Sequence, residues 1–185
     1  MSFTDLPDDL PAPDDDGAAD HLVGRSLPDL SLPSTGGKIV ALDRLPGTAV
    51  FYVYPMTGRP GRALPEGWEQ FPGARGCTPQ SCAFRDHHAQ FEQLRVNVYG
   101  ISTQDPAEQQ EAADRLGLPF PLLSDSEFQL RNTLQLPTFT LEGVDRYKRL
   151  TLITNQGKID HVFYPVFPPN QNAEDVLAYL RGASA

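Results

Sequence analysis

Residues 48–54 read TAVFYVY, a run that is β-branched, aromatic or apolar at nearly every position. A strand with one face in water alternates polar and apolar residues, whereas an unbroken run belongs inside a sheet with both faces covered. The run predicts a buried central strand, closed by Pro55. The chain downstream supplies the rest of such a fold. Val96–Ser102 alternates as a strand, and Phe120–Leu123 reads as a short one. Tyr147–Asn155 and Lys158–Tyr164 flank Gln156–Gly157 and read as a hairpin, although Gln-Gly is a weaker turn signal than Asn-Gly. Helical patterns lie between them. Phe84, His88, Phe91 and Leu94 fall on one face of a helix. Asp105–Pro106 caps a second helix with body Ala107–Leu116, and Gly117 stops it. Asp125–Leu134 and Ala173–Leu180 read as two more, with 136–143 extended. Strand, helix, strand, helix, hairpin and helix describe an α/β fold with a central mixed β-sheet flanked by helices.

A chain of 185 residues, 39% of them hydrophobic, fits one domain with one core. Residues 1–20 are acidic and rich in Pro, Asp and Ala, with too little apolar surface to offset their ordering entropy. They are expected to be a mobile tail ahead of a domain over 21–185. The net charge of −9 disfavours nucleic acid or anionic membrane as partners. No stretch is apolar enough to span a bilayer, and no basic region precedes an apolar run near the N-terminus, so a cytoplasmic location is expected. Residues 56–76 form a long loop punctuated by Gly58, Pro60, Gly61, Pro65 and Gly67. Trp68 and Phe71 read equally well as its anchors or as a wall beside Cys77.

Both cysteines of the chain, Cys77 and Cys82, follow that loop. Thr78 reads as an N-cap and Pro79 belongs in a first turn, which places Cys77 at a helix start. Free backbone N–H groups and the helix dipole favour a thiolate there. Five positions on a helix are about 7.5 Å along its axis, more than the roughly 4.4–6.8 Å a disulfide spans. Cys77 and Cys82 can pair only if the turn unwinds, which suggests a two-state redox element. The alternative is two unrelated buried cysteines. His87 and His88 come next, but Cys77, Cys82 and His87 fan around a helix, so neither a metal site nor a cofactor is expected.

GCTPQSCAFRD resembles the GCTxEACxFRD signature of peroxiredoxins of the Q type, also called bacterioferritin comigratory proteins, in the AhpC/TSA superfamily. VYGISTQDPAEQQEAADRLGLPFPLLSD is similar to that family's strand, Ser-Thr turn, helix and LPFPLLSD block, and RLTLITNQGKI resembles its RSTFLIDxxGKI segment. The resemblance runs from about Val23 to the end. It implies a thioredoxin-like fold and reduction of hydrogen peroxide and organic hydroperoxides with electrons from thioredoxin or a similar dithiol. It implies that Cys77 is the peroxidatic cysteine and that Arg149 flanks its thiolate. Cys82 becomes the resolving cysteine of an atypical 2-Cys enzyme, closing an intramolecular Cys77–Cys82 disulfide. A monomer is expected, since pairing within one chain needs no second copy.

The sequence departs from the family at the loop it writes Pro-x-x-x-Thr-x-x-Cys, where Gln70 and Ala74 stand for Pro and Thr. Pro55, which follows its strand as the family's proline does, lies 22 positions before Cys77 rather than seven. An insertion of about fifteen residues within 56–76 accounts for both. Thr57 and Thr78 are the candidates for the missing hydroxyl, and Gln80 stands where the family has Glu. Two other functions fit the same fold, a thiol–disulfide oxidoreductase and a non-enzymatic peroxide sensor. The spacing speaks against the former, which would use Cys-x-x-Cys.

Overall fold

The computed structural model describes residues 6–7 and 9–183. In chain order the strands are β1 (Ser31–Pro33), β2 (Ile39–Ala41), β3 (Thr48–Val53), β4 (Val96–Ser102), β5 (Leu122–Ser124), β6 (Thr138–Leu141), β7 (Val144–Tyr147), β8 (Leu150–Asn155) and β9 (Lys158–Phe163). The helices are α1 (Cys77–Asp86), α2 (His88–Gln93), α3 (Pro106–Leu116), α4 (Gln129–Leu134) and α5 (Asn172–Ala183). The main sheet runs β5-β4-β3-β8-β9. β3 is its centre, parallel to β4 and antiparallel to β8, so the sheet is mixed as the sequence implies.

The unbroken apolar run of β3 has a direct use. Ala49, Phe51 and Val53 enter one core layer with Leu130 and Leu134 of α4. Val50, Tyr52 and Tyr54 enter the other with Phe84, Phe91, Ala112, Val176 and Leu177 from α1, α2, α3 and α5. Period-two alternation thus sends apolar side chains both ways from one strand. Tyr52 stacks on Phe84 with ring centroids 4.6 Å apart, and its hydroxyl donates to Ser81 Oγ at 3.1 Å. These two contacts seat α1 directly on the central strand.

Four local expectations change. The helix expected to run from Thr78 through Leu94 breaks at His87 into α1 and α2. Its N-cap is Gly76, in the left-handed region at φ 106°, not Thr78. The helix expected over Asp125–Leu134 begins at Gln129, because the Asp125 carboxylate accepts from the backbone of Leu130 and Arg131, both at 3.0 Å, and so caps it from outside. Strand β8 starts at Leu150 rather than Tyr147, since Val144–Tyr147 folds back on β6 through Glu142 and Gly143. Both turn residues have positive φ, 52° and 72°, the primed geometry that hairpins favour.

The segment read as a mobile tail is docked against the domain over 13–20. Ala19 is buried with Leu22 in the core. Asp16 accepts from Lys148 Nζ and from the Tyr164 hydroxyl, both at 2.6 Å. Its acidity misled the reading, because a basic and a hydroxylic partner wait for that carboxylate on the domain. The first five residues of the expected tail, and Asp8, lie outside the described residues. The Lys148 donor, with Tyr164 beside it, holds the Asp16 carboxyl well below the usual carboxylate range. A depressed carboxyl contributes its stabilisation above the ordinary value and loses it as pH falls through the folded one. The dock therefore persists through neutral pH and releases only in strong acid.

Gly76 is held by sterics as well as by its φ. A Cβ built there would collide with Pro169 Cγ, which belongs to the turn leading into α5. Gly76→Ala is expected to cost about 2–4 kcal/mol, from positive-φ strain plus overpacking, read from the urea midpoint. It is also expected to displace Cys77, since relief of the clash moves the start of α1.

Candidate active site

The end of β3 and the start of α1 meet at Cys77. Pro55, buried, closes the strand and turns the chain so that the Met56 backbone N–H donates to Cys77 Sγ at 3.4 Å. Cys77 opens α1 and is 3% exposed. Its thiol lies 3.6 Å from the Ala74 carbonyl oxygen, which a thiol can donate to and a thiolate cannot. Arg149, near the start of β8, donates from Nη2 to Sγ at 3.2 Å. Two donors, one of them cationic, therefore converge on the sulfur.

Arg149 is itself buried, and a buried guanidinium needs partners. Its Nη2 also faces the carbonyls of Gly73, Ala74 and Arg75 at 3.1–3.3 Å. Nη1 donates to Gln80 Oε1, one turn along α1 from Cys77. The Gln80 amide is fixed from its far end, where Nε2 donates to Asn172 Oδ1 at 3.0 Å. That oxygen also accepts from Thr151 Oγ1 at 2.7 Å. Gln80, Asn172 and Thr151 are all buried. Among the described residues no carboxylate lies within ion-pair distance of Arg149. Of the described groups that touch it, only the Cys77 sulfur can carry a negative charge by ionising. The neutral Gln80 thus orients Arg149 without cancelling its charge.

The two threonine candidates separate. Thr57 is buried, and its hydroxyl donates to Gln104 Oε1 at 3.1 Å while its backbone N–H reaches the same oxygen at 2.8 Å. It is bound to the loop before α3, not to Cys77. Thr78 is buried and lines, with Cys77, a narrow cavity of about 20 Å³. Met56, Leu64, Trp68, Arg75 and Leu6 complete most of its wall. Such a space holds little more than one water-sized group. A wider cavity of about 710 Å³ shares Leu64, Trp68, Arg75 and Thr78 with it and is otherwise walled largely by residues of 60–75.

Trp68 serves both of the uses left open for the pair, and Phe71 serves as an anchor. Phe71 stacks on Phe139 with centroids 4.1 Å apart, and Trp68 packs on the same ring at 6.2 Å. The Arg146 guanidinium lies 5.6 Å over Trp68. The long loop is thereby pinned to the β6–β7 hairpin, and Trp68 still faces the Cys77 cavity.

Cys82 lies within α1, half-buried and free, as Cys77 is free. With the helix intact their five-residue separation keeps them out of disulfide range. Burial pushes the Cys82 thiol up. Sequence reasoning missed the Met56 N–H, Gln80 as orienter of Arg149, and Leu6 beside Cys77. A backbone donor has no residue signature, and the other two depend on parts of the chain far apart in sequence.

Residues 71–162 match the model of the AhpC/TSA family. The chloroplastic peroxiredoxin Q of Populus jackii is 29% identical over 162 residues, 85% of this chain and 67% of that protein. The chloroplastic peroxiredoxin Q of Arabidopsis thaliana is 29% identical over 161 residues, 86% of this chain and 67% of that one. Among solved structures, the peroxidoxin BcpB of Mycobacterium tuberculosis superposes with a TM-score of 0.70 at 27% identity, over 86% of this chain and 96% of that one. A cysteine-to-serine mutant of Xylella fastidiosa PrxQ gives a TM-score of 0.72 at 24% identity, over 88% and 97%, a likeness of fold.

Proposed function

We propose that the chain is a peroxiredoxin of the Q type in the AhpC/TSA family, a thiol-dependent peroxidase on a thioredoxin-like fold, with Cys77 as its peroxidatic cysteine and Cys82 as its resolving one. The observation that carries the reading is the Arg149 guanidinium, buried with no carboxylate among the described residues beside it and aimed at Cys77 Sγ. The sulfur anion attacks one oxygen of the hydroperoxide. An S–O bond forms, the O–O bond breaks, and the leaving alkoxide or hydroxide takes up a proton. Arg149 and the Met56 N–H stabilise charge at the sulfur and on the departing oxygen, preorganised in a site closed to bulk water. We assign the accompanying hydroxyl to Thr78 rather than Thr57, since Thr78 lines the cavity at Cys77.

The product is a sulfenic acid on Cys77. The Cys82 thiolate attacks that sulfur, the S–S bond forms, and the hydroxyl leaves as water. A dithiol such as thioredoxin then reduces the disulfide, so that each turnover consumes one hydroperoxide and one dithiol and gives water, the dithiol's own disulfide, and an alcohol or, from hydrogen peroxide, a second water. Hydrogen peroxide and organic hydroperoxides are both proposed substrates. Resolution requires the first turns of α1 to unwind. Unwinding exposes Cys82 and removes the burial that raises its thiol, so the resolving nucleophile is activated only after Cys77 has reacted. The chemistry stays within one chain, which suits a monomer.

One equivalent of hydrogen peroxide added to reduced protein tests this sequence. Both thiols are expected to disappear as a mapped Cys77–Cys82 bond, with disulfide formation quickening as pH rises toward and past the ordinary thiol range. In Cys82→Ser the product is expected to stop at sulfenic acid on Cys77, and excess peroxide should carry it to sulfinic acid. Disulfides between chains in the wild type would overturn intramolecular resolution.

A further inference from the structure

The N-terminal segment reaches the catalytic cysteine. Leu6 is part of the wall of the narrow cavity at Cys77. Its Cδ2 is 3.2 Å from where a Gly76 Cβ would sit, so it lies on the very turn that presents the sulfur. Further along, the Pro13 ring lies over Gly73, 3.4 Å from the position of a Cβ there. Gly73 and its two successors supply the carbonyls that hold Arg149. The segment is then fastened by Asp16 to Lys148 and Tyr164. Lys148 is the neighbour of Arg149, so the fastening sits beside the catalytic site. A cavity of about 230 Å³ runs beneath the segment, with Pro13, Asp14 and Asp16 on one side and Phe71, Phe139 and Arg149 among the others. Pro13 thus lies over the active-site loop, and Leu6 stands at the opening to the sulfur.

From this arrangement we infer that the described residues of the N-terminal segment, 6–7 and 9–16, form a strap over the active site, with Leu6 as the gate that limits peroxide size at Cys77 and Asp16 as the latch that keeps the gate in place. The inference rests on the reading of Cys77 as the peroxidatic cysteine. With the latch closed, the throat admits a small peroxide, while a bulky hydroperoxide must wait for the strap to lift. The wide cavity beyond Trp68, Arg75 and Thr78 would hold the remainder of a larger molecule once Leu6 has moved. Among its described residues the strap is fastened to the domain by the Asp16 ion pair and hydroxyl bond, and none of them is fully buried, so its opening is a local event that leaves the core intact.

The test compares Leu6→Ala and Asp16→Ala with wild type, each reacted with hydrogen peroxide and with cumene hydroperoxide in single-turnover mode. Neither residue touches the reacting atoms. Both variants are expected to raise the cumene-to-hydrogen-peroxide rate ratio by about threefold or more, with the hydrogen peroxide rate of Asp16→Ala, whose side chain lies outside the cavity at Cys77, within about twofold of wild type. An unchanged ratio in both overturns the inference, and a rise in only one overturns the coupling of latch to gate. The failure of the peroxidase reading would look different, as wild type unreactive toward either peroxide. In that event the gate is judged in a Cys82→Ser background by alkylation of Cys77 with a bulky maleimide. Faster labelling in both variants supports the strap, and equal labelling overturns it.

Discussion

Cys77→Ser is expected to abolish hydroperoxide reduction, lowering turnover by about four orders of magnitude or more, as removal of a covalent nucleophile does elsewhere. A serine hydroxyl keeps the volume and the place at the start of α1. It does not ionise near neutral pH, and a donor cluster of one guanidinium and one backbone N–H falls far short of making it do so. The variant should fold with a urea midpoint close to wild type, because the side chain is small and the Ala74 carbonyl oxygen can accept from a hydroxyl as from a thiol. Cys82→Ser provides the contrast. It should complete the first oxidation at the wild-type rate and fail only in recycling. Steady-state peroxide consumption with a dithiol, read beside single-turnover rates, separates the two.

Arg149→Ala is expected to lower the second-order rate constant with peroxide by about 10²–10³. The loss has two sources. The cation that faces the sulfur and the departing oxygen is gone, and the Gln80 amide and the carbonyls of 73–75 lose their donor, which loosens the loop under Cys77. Stranding the buried acceptors among them, Gln80 Oε1 and the Ala74 carbonyl, should also cost about 1–3 kcal/mol of stability. Arg149→Lys keeps the charge, but a single ammonium on a flexible stem does not span Gln80 on one side and the sulfur on the other, so it should recover only part of the rate. Stopped-flow rates beside denaturation midpoints distinguish lost catalysis from lost folding. A rate for Arg149→Ala within about threefold of wild type would remove Arg149 from the chemistry.

What the sequence made legible follows from which contacts are local. The TAVFYVY run, the Asp105–Pro106 start and the Gly117 stop of α3 each carry their own cause, and the structure uses each as read: Asp105 Oδ1 accepts from the Glu108 backbone at 2.8 Å, and Gly117 takes a positive φ of 61°. Gln156–Gly157 likewise forms a turn with two positive φ values despite its weak composition. The helix break at His87 carries no Gly or Pro to announce it. Glu142–Gly143 hid a hairpin because glutamate is a poor advertisement for a primed turn.

The site was legible to different depths. The placing of Cys77 at a helix start came from Thr78 and Pro79, although the cap proved to be Gly76 rather than Thr78. Arg149 came only from the resemblance, since a lone arginine near a strand reads as surface until its burial is seen. Gln80 looked like a neutral exchange for a glutamate. Its use emerges from Asn172 and Thr151, which meet it only in three dimensions. The docked N-terminal segment was hidden for the same reason, because an aspartate-rich stretch looks solvated unless its cationic partner is known.

The rate constant for reduced protein and hydrogen peroxide, followed by Trp68 emission and checked by thiol counting, tests the central claim most directly. A value at least about a hundredfold above that of free cysteine at the same pH is the predicted result, the acceleration that preorganised donors at one sulfur supply. A value equal to that of free cysteine, with both thiols surviving one equivalent of peroxide, would contradict it.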